Sequence, residues 1–427
     1  MIDLRAFRQE PDAVRAALAR RLDPTLDAAL DQLAALDRRR RELLTRTESL
    51  QAERNAATAE VARRKRAGEP ADDLLADLKR SGEAARALEA EVRAAEAELD
   101  ALALTIPNLP LPEVPEGDAT ANRVVRTWGE PPAFDFAPVP HWDLGQRLGL
   151  FDLARGATLT GSGFPVFTGL GARLVRALKN FMLDLHTAEH GYLEVTPPLL
   201  VNRATLTGTG QLPKFEEEVY AVPADQFFLI PTAEVPVTNL HRDEILDGER
   251  LPLSYVAFTP CFRREAGAHG KDTRGLIRVH QFDKVELVRL VRPEDSPAEH
   301  ARITAHAEAV LQRLEIPYRV LDLAAGDTGF ASAHTYDLEV WAAGVGTWLE
   351  ASSSSTFTDF QARRANIRFR REPRSKPEFV HTLNASGVAF PRTIIALLEN
   401  NQLADGSVQI PSALVPYLGV ERLRPGG

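Results

Sequence analysis

The residues from Phe258 to Val288, FTPCFRREAGAHGKDTRGLIRVHQFDKVELV, combine arginines, carboxylates and an aromatic ring at spacings suited to nucleotide chemistry. The pattern predicts a strand, a glycine-bearing basic loop and a second strand. Side chains alternate across a strand, so Arg263 and Glu265 fall on one face of the first, and Arg278, His280, Phe282, Lys284 and Glu286 on one face of the second. Between them Gly267, Gly270, Lys271, Arg274 and Gly275 form a flexible cationic loop. Guanidinium forks match phosphate oxygens and an aromatic face stacks on a base. A solvated, salt-bridged hairpin is the plain alternative. Glu286 ends a hydrophobic strand beside Val285, Leu287 and Val288, and a carboxylate there needs a partner such as Arg263.

Three further clusters carry chemistry. Thr232-Ala233-Glu234 follows the apolar run FFLIP and places Thr232 and Glu234 on one side of an extended chain, although such a triplet alone is more often a turn or cap. Glu350-Ala351-Ser352-Ser353 opens a serine run that would read as a linker, were it not flanked by Trp348 and Phe357. The stretch from Thr382 to Arg392 reads as a strand, then a helix with Pro391 in its first turn. Arg392 adds charge to the positive end of that helix, a natural place for phosphate, with ordinary capping and a surface arginine as the alternative.

These clusters need elements to position them. Sequential strand-like runs from Glu217 to Val291 predict an α+β domain on a largely antiparallel sheet. Ahead of them, a long helix from Gly169 to His190 precedes a strand halted by Pro197-Pro198. The region from Leu26 to Leu104 differs, being rich in Ala, Leu, Arg and Glu with one break at Gly68-Glu69-Pro70. Before the break Leu30, Leu33, Leu36, Leu43, Leu44 and Leu50 recur near spacings of three, four and seven, and after it Leu74, Leu78, Leu88, Val92, Leu99 and Leu102 do the same. This predicts two long helices folded back as an antiparallel coiled coil, a rod on the order of 55 Å. Ten basic residues against four acidic ones lie between Arg38 and Arg66, with clusters at Arg38-Arg39 and at Arg63-Arg64-Lys65-Arg66 just before the turn. Such a run is either a solvated face or a phosphate-backbone contact. The division expected is a helical arm at 1–106, a proline-rich linker at 107–140 and a catalytic domain at 141–427.

Composition excludes several classes. The 427 residues carry a formal charge of −9, so any affinity for nucleic acid must come from local basic patches. A single cysteine, Cys261, leaves no disulfide framework or thiolate zinc cluster, and no structural zinc is expected. The N-terminus lacks the apolar core of a secretory signal and no run is long enough to span a membrane, which points to the cytoplasm.

The wording FRREAG followed by DTRGLIRVHQFDKVE resembles motif 2 of the class II aminoacyl-tRNA synthetases, in the seryl-tRNA synthetase version. The helix-strand-Pro segment is similar to motif 1, which implies a homodimer, and the stretch ending in Arg392 is similar to motif 3. The resemblance covers essentially the whole chain. It implies that L-serine is held by Thr232, Ala233, Glu234, Arg263, Glu286, Asn384 and Ser386, with Glu234 at the ammonium and Glu286 at the hydroxyl. It implies that ATP meets Arg263 at the α-phosphate, Glu265 at the adenine edge, Phe282 by stacking and Arg392 at the γ-phosphate, with Arg264, Val279, Ala351 and Ser352 beside them. ATP and its magnesium would rest on Glu350 and Ser353, where serines stand in place of cysteines common in the family. The arm would grip tRNA(Ser) through Arg38, Arg39, Arg63, Arg64, Lys65 and Arg66, and a selenocysteine tRNA is an acceptor the resemblance leaves open. A carrier-protein-loading relative would lack the arm, and a non-catalytic paralogue would be expected to lose Arg263, Glu286 or Arg392. All of these features stand in this chain.

Overall fold

The computed structural model describes residues 1–267 and 273–425, so Gly270 and Lys271 of the basic loop lie outside the described residues. The chain forms two compact units, one of residues 2–19 and 23–106, the other of residues 1, 20–22 and 107–427.

In the first unit, short helices α1 (Leu4–Gln9) and α2 (Pro11–Ala19) precede the long α3 (Leu26–Ala67) and α4 (Asp72–Ala103). At 42 and 32 residues, α3 and α4 run about 63 and 48 Å. Leu43 of α3 packs against Leu88, Val92 and Ala95 of α4, a seam at the spacing the leucines predict. The turn works because Gly68 ends α3 in the left-handed region (φ 71°), where its N–H reaches the carbonyls of Arg64 and Lys65. Arg40–Glu96 and Arg39–Glu98 ion pairs link the two helices.

The second unit is built on an eight-stranded sheet. Its strands are β1 (Arg123–Trp128), β2 (Leu193–Glu194), β3 (Leu253–Phe262), β4 (Gln281–Val291), β5 (Tyr318–Asp322), β6 (His334–Ala342), β7 (Thr347–Thr356) and β8 (His381–Ala389). They lie in the order β1-β5-β6-β7-β8-β4-β3-β2, antiparallel throughout except for β2 beside β3. Residues 107–140, expected as a linker, therefore include an edge strand of this sheet. The helix predicted from Gly169 to His190 is α-helical as α5 (Gly169–Asp184) and continues as a π-helical turn over Leu185–Glu189.

Helices α5, α6 (Ser296–Arg313) and α7 (Phe390–Asn400) cover one face, and their Leu178, Val310 and Ile395 share a core with Val285 and Leu287 of β4. Alternation sends Lys284, Glu286, Val288 and Leu290 to the other face, where Val288 and Leu290 join a second cluster and the first two do not. That polar end of a central strand is where the chemistry gathers.

Candidate active site

The hairpin expected between Phe258 and Val288 is present, but its strands stop earlier than alternation suggests. β3 ends at Phe262 and β4 begins at Gln281, so Arg263, Glu265, Arg278 and His280 lie in the connecting segment instead of on strand faces. Glu265 adopts φ 52°, an uncommon conformation for a residue with a side chain. Its carboxylate pairs with Arg278, a partner the sequence left unassigned. The Arg263 guanidinium lies 5.2 Å from the ring centroid of Phe282. Arg264 is exposed and held by a bond from its N–H to the Glu218 carbonyl.

Arg263, Glu265, Arg278 and Phe282 line an open cleft together with Val279, Lys284, Glu350, Ala351, Ser352, Ser386 and Arg392, whereas Arg264 lies outside its lining. Two bulges aim the far wall. Pairing between β6 and β7 shifts register around Ala351, so Glu350 and Ser353 share a face although three residues apart, and the Ser353 hydroxyl donates to Asp337 (2.5 Å) with Glu350 also within reach (3.3 Å). Pairing between β4 and β8 shifts between Ser386 and Ala389, where Val388 takes φ 77°. A branched side chain there costs on the order of 1–3 kcal/mol. The irregularity leads directly into α7 and delivers Arg392 to the cleft. Arg392 donates from Nε to the Ile277 carbonyl (3.3 Å) and from a terminal nitrogen to the Glu350 carbonyl, and pairs with the Glu350 carboxylate at 3.4 Å. Desolvation would push Glu350 up, yet Arg392 and Arg263 outweigh it and hold its carboxyl below the usual range. Burial and the nearby Glu350 carboxylate hold Asp337 well above.

Next to this arginine-bearing wall sits a buried pocket of opposite character. Glu234, at the start of the short helix Glu234–Thr238, receives the Gln361 amide on one oxygen (2.6 Å) and the Asn384 amide on the other (3.1 Å). The same Asn384 nitrogen reaches Glu286 at 3.1 Å. Glu286 is fully buried, and its charge partner is Lys284 of its own strand face, in place of the Arg263 expected. Lys284 also donates to Thr232 (2.9 Å) and Ser386 (3.2 Å). Burial, reinforced by the Glu286 carboxylate, raises Glu234 to about 7. The structure thus brings Thr232, Glu234, Glu286, Asn384 and Ser386 together, with Ala233 buried between the first two.

Sequence reasoning missed three members of this region. Lys284 was visible only as one more charge on a strand face. Gln361 lies within TDFQARR, and its role depends on long-range packing that brings it to Glu234 and to the Thr382 hydroxyl (2.7 Å). Asp337 reaches Ser353 only because β6 pairs with β7.

On the arm, Arg38, Arg39, Arg63, Lys65 and Arg66 are exposed and Arg64 is half-buried. Arg63 and Arg64 share Glu60, whose carboxyl their hydrogen bonds hold at about 2. Exposed pairs of this kind exchange easily for other anions.

Residues 216–401 match the tRNA synthetase class II core domain (G, H, P, S and T), and residues 1–110 match the seryl-tRNA synthetase N-terminal domain. The chain is 59% identical to a serine–tRNA ligase of Gemmatimonas aurantiaca across 98% of this chain and 99% of that one. It is similar in structure to the seryl-tRNA synthetase of Pyrococcus horikoshii solved with ATP (TM-score 0.95, 39% identity, all of both chains). It is also similar to the cytoplasmic serine–tRNA ligase of Naegleria fowleri solved with AMP (TM-score 0.88, 28% identity, 100% of this chain and 99% of that one). With both domain matches in the same order and the cleft built from the residues those motifs supply, the chain belongs to the seryl-tRNA synthetase family.

Proposed function

We propose that the protein is a serine–tRNA ligase, which activates L-serine with ATP as seryl-adenylate and transfers the seryl group to tRNA(Ser). The observation that carries this reading is the adjacency of two environments in one cleft. Arg263 and Arg392 form a cationic wall for phosphates, and Glu234 and Glu286 form a carboxylate pocket for an ammonium and a hydroxyl. In the first step a serine carboxylate oxygen forms a bond to the α-phosphorus while the bond to pyrophosphate breaks. The nucleophile is already an anion, so no protein base is required. The side chains position the reactants and stabilise developing charge. In the second step a hydroxyl of the terminal tRNA adenosine attacks the adenylate carbonyl and AMP leaves.

Magnesium fits the oxygen-only donors Glu350 and Ser353, where Ser353 is oriented by Asp337. Bound with ATP, it would neutralise phosphate charge. Among the described residues no helix is long and apolar enough to cross a membrane, and use of ATP and tRNA is compatible with a cytoplasmic enzyme. The short edge strand β2, with Leu193 exposed, supports the homodimer implied by motif 1.

Pyrophosphate exchange without tRNA tests the first step, and serine alone among serine, threonine, alanine, glycine and proline should support it. Replacing Arg63, Arg64, Lys65 and Arg66 together with alanine should raise the KM for tRNA by roughly 10–100-fold, the scale of a few lost phosphate contacts, and leave exchange intact. Equal loss of both activities would sink the assignment of the arm.

The ionisation of Glu234 sets a pH dependence. Its carboxyl titrates near 7 in the free protein, so below that pH a proton must leave before the substrate ammonium is received. The serine KM should therefore rise about tenfold per unit below pH 7 and level off above it. Stability runs the other way: a carboxyl raised above its unfolded value stabilises the fold most below about 4.5, and that contribution is lost as pH rises through 7. Glu234→Gln should flatten both profiles; a serine KM that does not change between pH 5.5 and 8.5 in the parent protein would refute the assignment.

A further inference from the structure

Lys284 stands at the centre of the amino-acid pocket, yet the activation chemistry proposed above gives it no role. It is 5% exposed, and its ammonium has three acceptors within reach: the Glu286 carboxylate, Thr232 Oγ1 at 2.9 Å and Ser386 Oγ at 3.2 Å. An ammonium has three N–H groups, so these contacts can saturate it. The effect on its neighbours is directional. Thr232 Oγ1 also accepts from the Glu234 backbone N–H at 3.3 Å, so both lone pairs of that oxygen are occupied and its hydrogen is left to donate. Ser386 Oγ likewise accepts from Lys284 and keeps its own hydrogen for another partner.

Glu286 is held from two sides. Asn384 donates to one oxygen at 3.1 Å and Lys284 pairs with the other. Asn384 gives both carboxylates the same amide nitrogen, and its Oδ1 has no hydrogen-bond partner among the described residues. The pocket thus presents acceptors at fixed places (Glu234, Glu286 and Asn384 Oδ1) and hydroxyl donors whose polarity is set. That arrangement suits a small ligand carrying an ammonium and a hydroxyl, and it depends on one cation.

We infer that Lys284 is a positioning residue that determines amino-acid specificity: by holding Glu286 through an ion pair and Thr232 and Ser386 through hydrogen bonds, it keeps the Glu286 carboxylate aimed at the substrate hydroxyl. The inference rests on the proposed activation of serine. Lys284 acts through Glu286, so its removal should cost the hydroxyl-bearing substrate far more than one without a hydroxyl. A site built to bind a hydroxyl gains most of its discrimination from a buried acceptor left unpaired by the wrong substrate, and that gain disappears when the acceptor is no longer fixed.

The test is pyrophosphate exchange by the full chain with serine and with alanine, for the parent protein, Lys284→Met and Lys284→Ala. Methionine keeps most of the length and removes the charge. For Lys284→Met the serine KM should rise by about 30-fold or more, the serine-over-alanine preference should fall by at least about tenfold, and ATP binding measured calorimetrically without serine should stay within about threefold. Millimolar n-propylamine should restore part of the preference to Lys284→Ala by refilling the cation's place. Serine and alanine activity falling by the same factor, or weakened ATP binding, would make Lys284 a merely structural residue and overturn the inference. If Lys284→Met does not fold, Lys284→Arg decides. Its planar fork keeps the charge and cannot reproduce three tetrahedral contacts, so an unchanged preference would equally overturn the inference. A parent protein that fails to exchange with serine would instead overturn the proposed activation itself.

Discussion

Glu286→Ala is expected to lower kcat/KM for serine in pyrophosphate exchange by roughly 10²–10³-fold, the equivalent of about 3–4 kcal/mol for breaking a buried ion pair. Two losses combine. The Lys284 ammonium is left buried without its carboxylate, and the acceptor for the substrate hydroxyl disappears. Glu286→Gln separates them, because it keeps the shape and the Asn384 contact region while removing the charge. The same variant carries a second signature. Glu286 helps to raise Glu234, so without its charge the pH below which the serine KM climbs should move to lower values. Steady-state exchange at several pH values measures both, with thermal unfolding as the check on folding. A Glu286→Gln protein with parental serine KM and an unmoved pH profile would remove Glu286 from the pocket.

Arg392→Ala should act on a different parameter. Its side chain bridges the Ile277 and Glu350 carbonyls at the start of α7, and its ion pair is with Glu350, not with Glu234 or Glu286, among the described residues. Loss of a preorganised cation facing the phosphates typically costs 10²–10³ in kcat, so a fall of that size is expected, with a higher KM for ATP and a serine KM within about threefold. Arg392→Lys should recover only part of the rate, since an ammonium cannot replace a planar fork bound to two carbonyls. Glu350 should also respond. With Arg392 gone, one of the two cations that hold its carboxyl low is lost, and its ionisation moves up. An unchanged kcat in the alanine variant would show that phosphate binding is carried elsewhere.

Much of this was legible in the residues, for identifiable reasons. The arm could be read because its seam is a local repeat, and Leu43, Leu88 and Val92 sit where the heptad spacing puts them. The helix start at Pro391 could be read because its signal lies within a few residues. The motif residues Arg263, Glu350 and Arg392 line one cleft, and Glu286 is paired with Lys284, which lines it too. Strict alternation failed where the backbone departs from it. Glu265 and Arg278 lie beyond the strand ends, and the bulges at Ala351 and at Val388 change which side chains share a face. Nothing in a period-two pattern announces a bulge. Gln361, Asp337 and the pairing of Lys284 with Glu286 were illegible for another reason: charge type is written in the sequence, but choice of partner is set by packing.

The order of strands across the sheet has a consequence for how the protein comes into being on the ribosome. The arm closes on itself within the first 103 residues and involves neighbours near in the chain, so it can form early in synthesis. The pocket cannot. Asn384 is 150 residues from Glu234 and 98 from Glu286, and Lys284 waits 102 residues for Ser386. Until β8 inserts between β7 and β4, the Lys284–Glu286 pair lacks its neighbours and the sheet is open at its centre. A nascent chain therefore holds a folded arm well before it can assemble the pocket, and its last central strand both closes the sheet and completes the site.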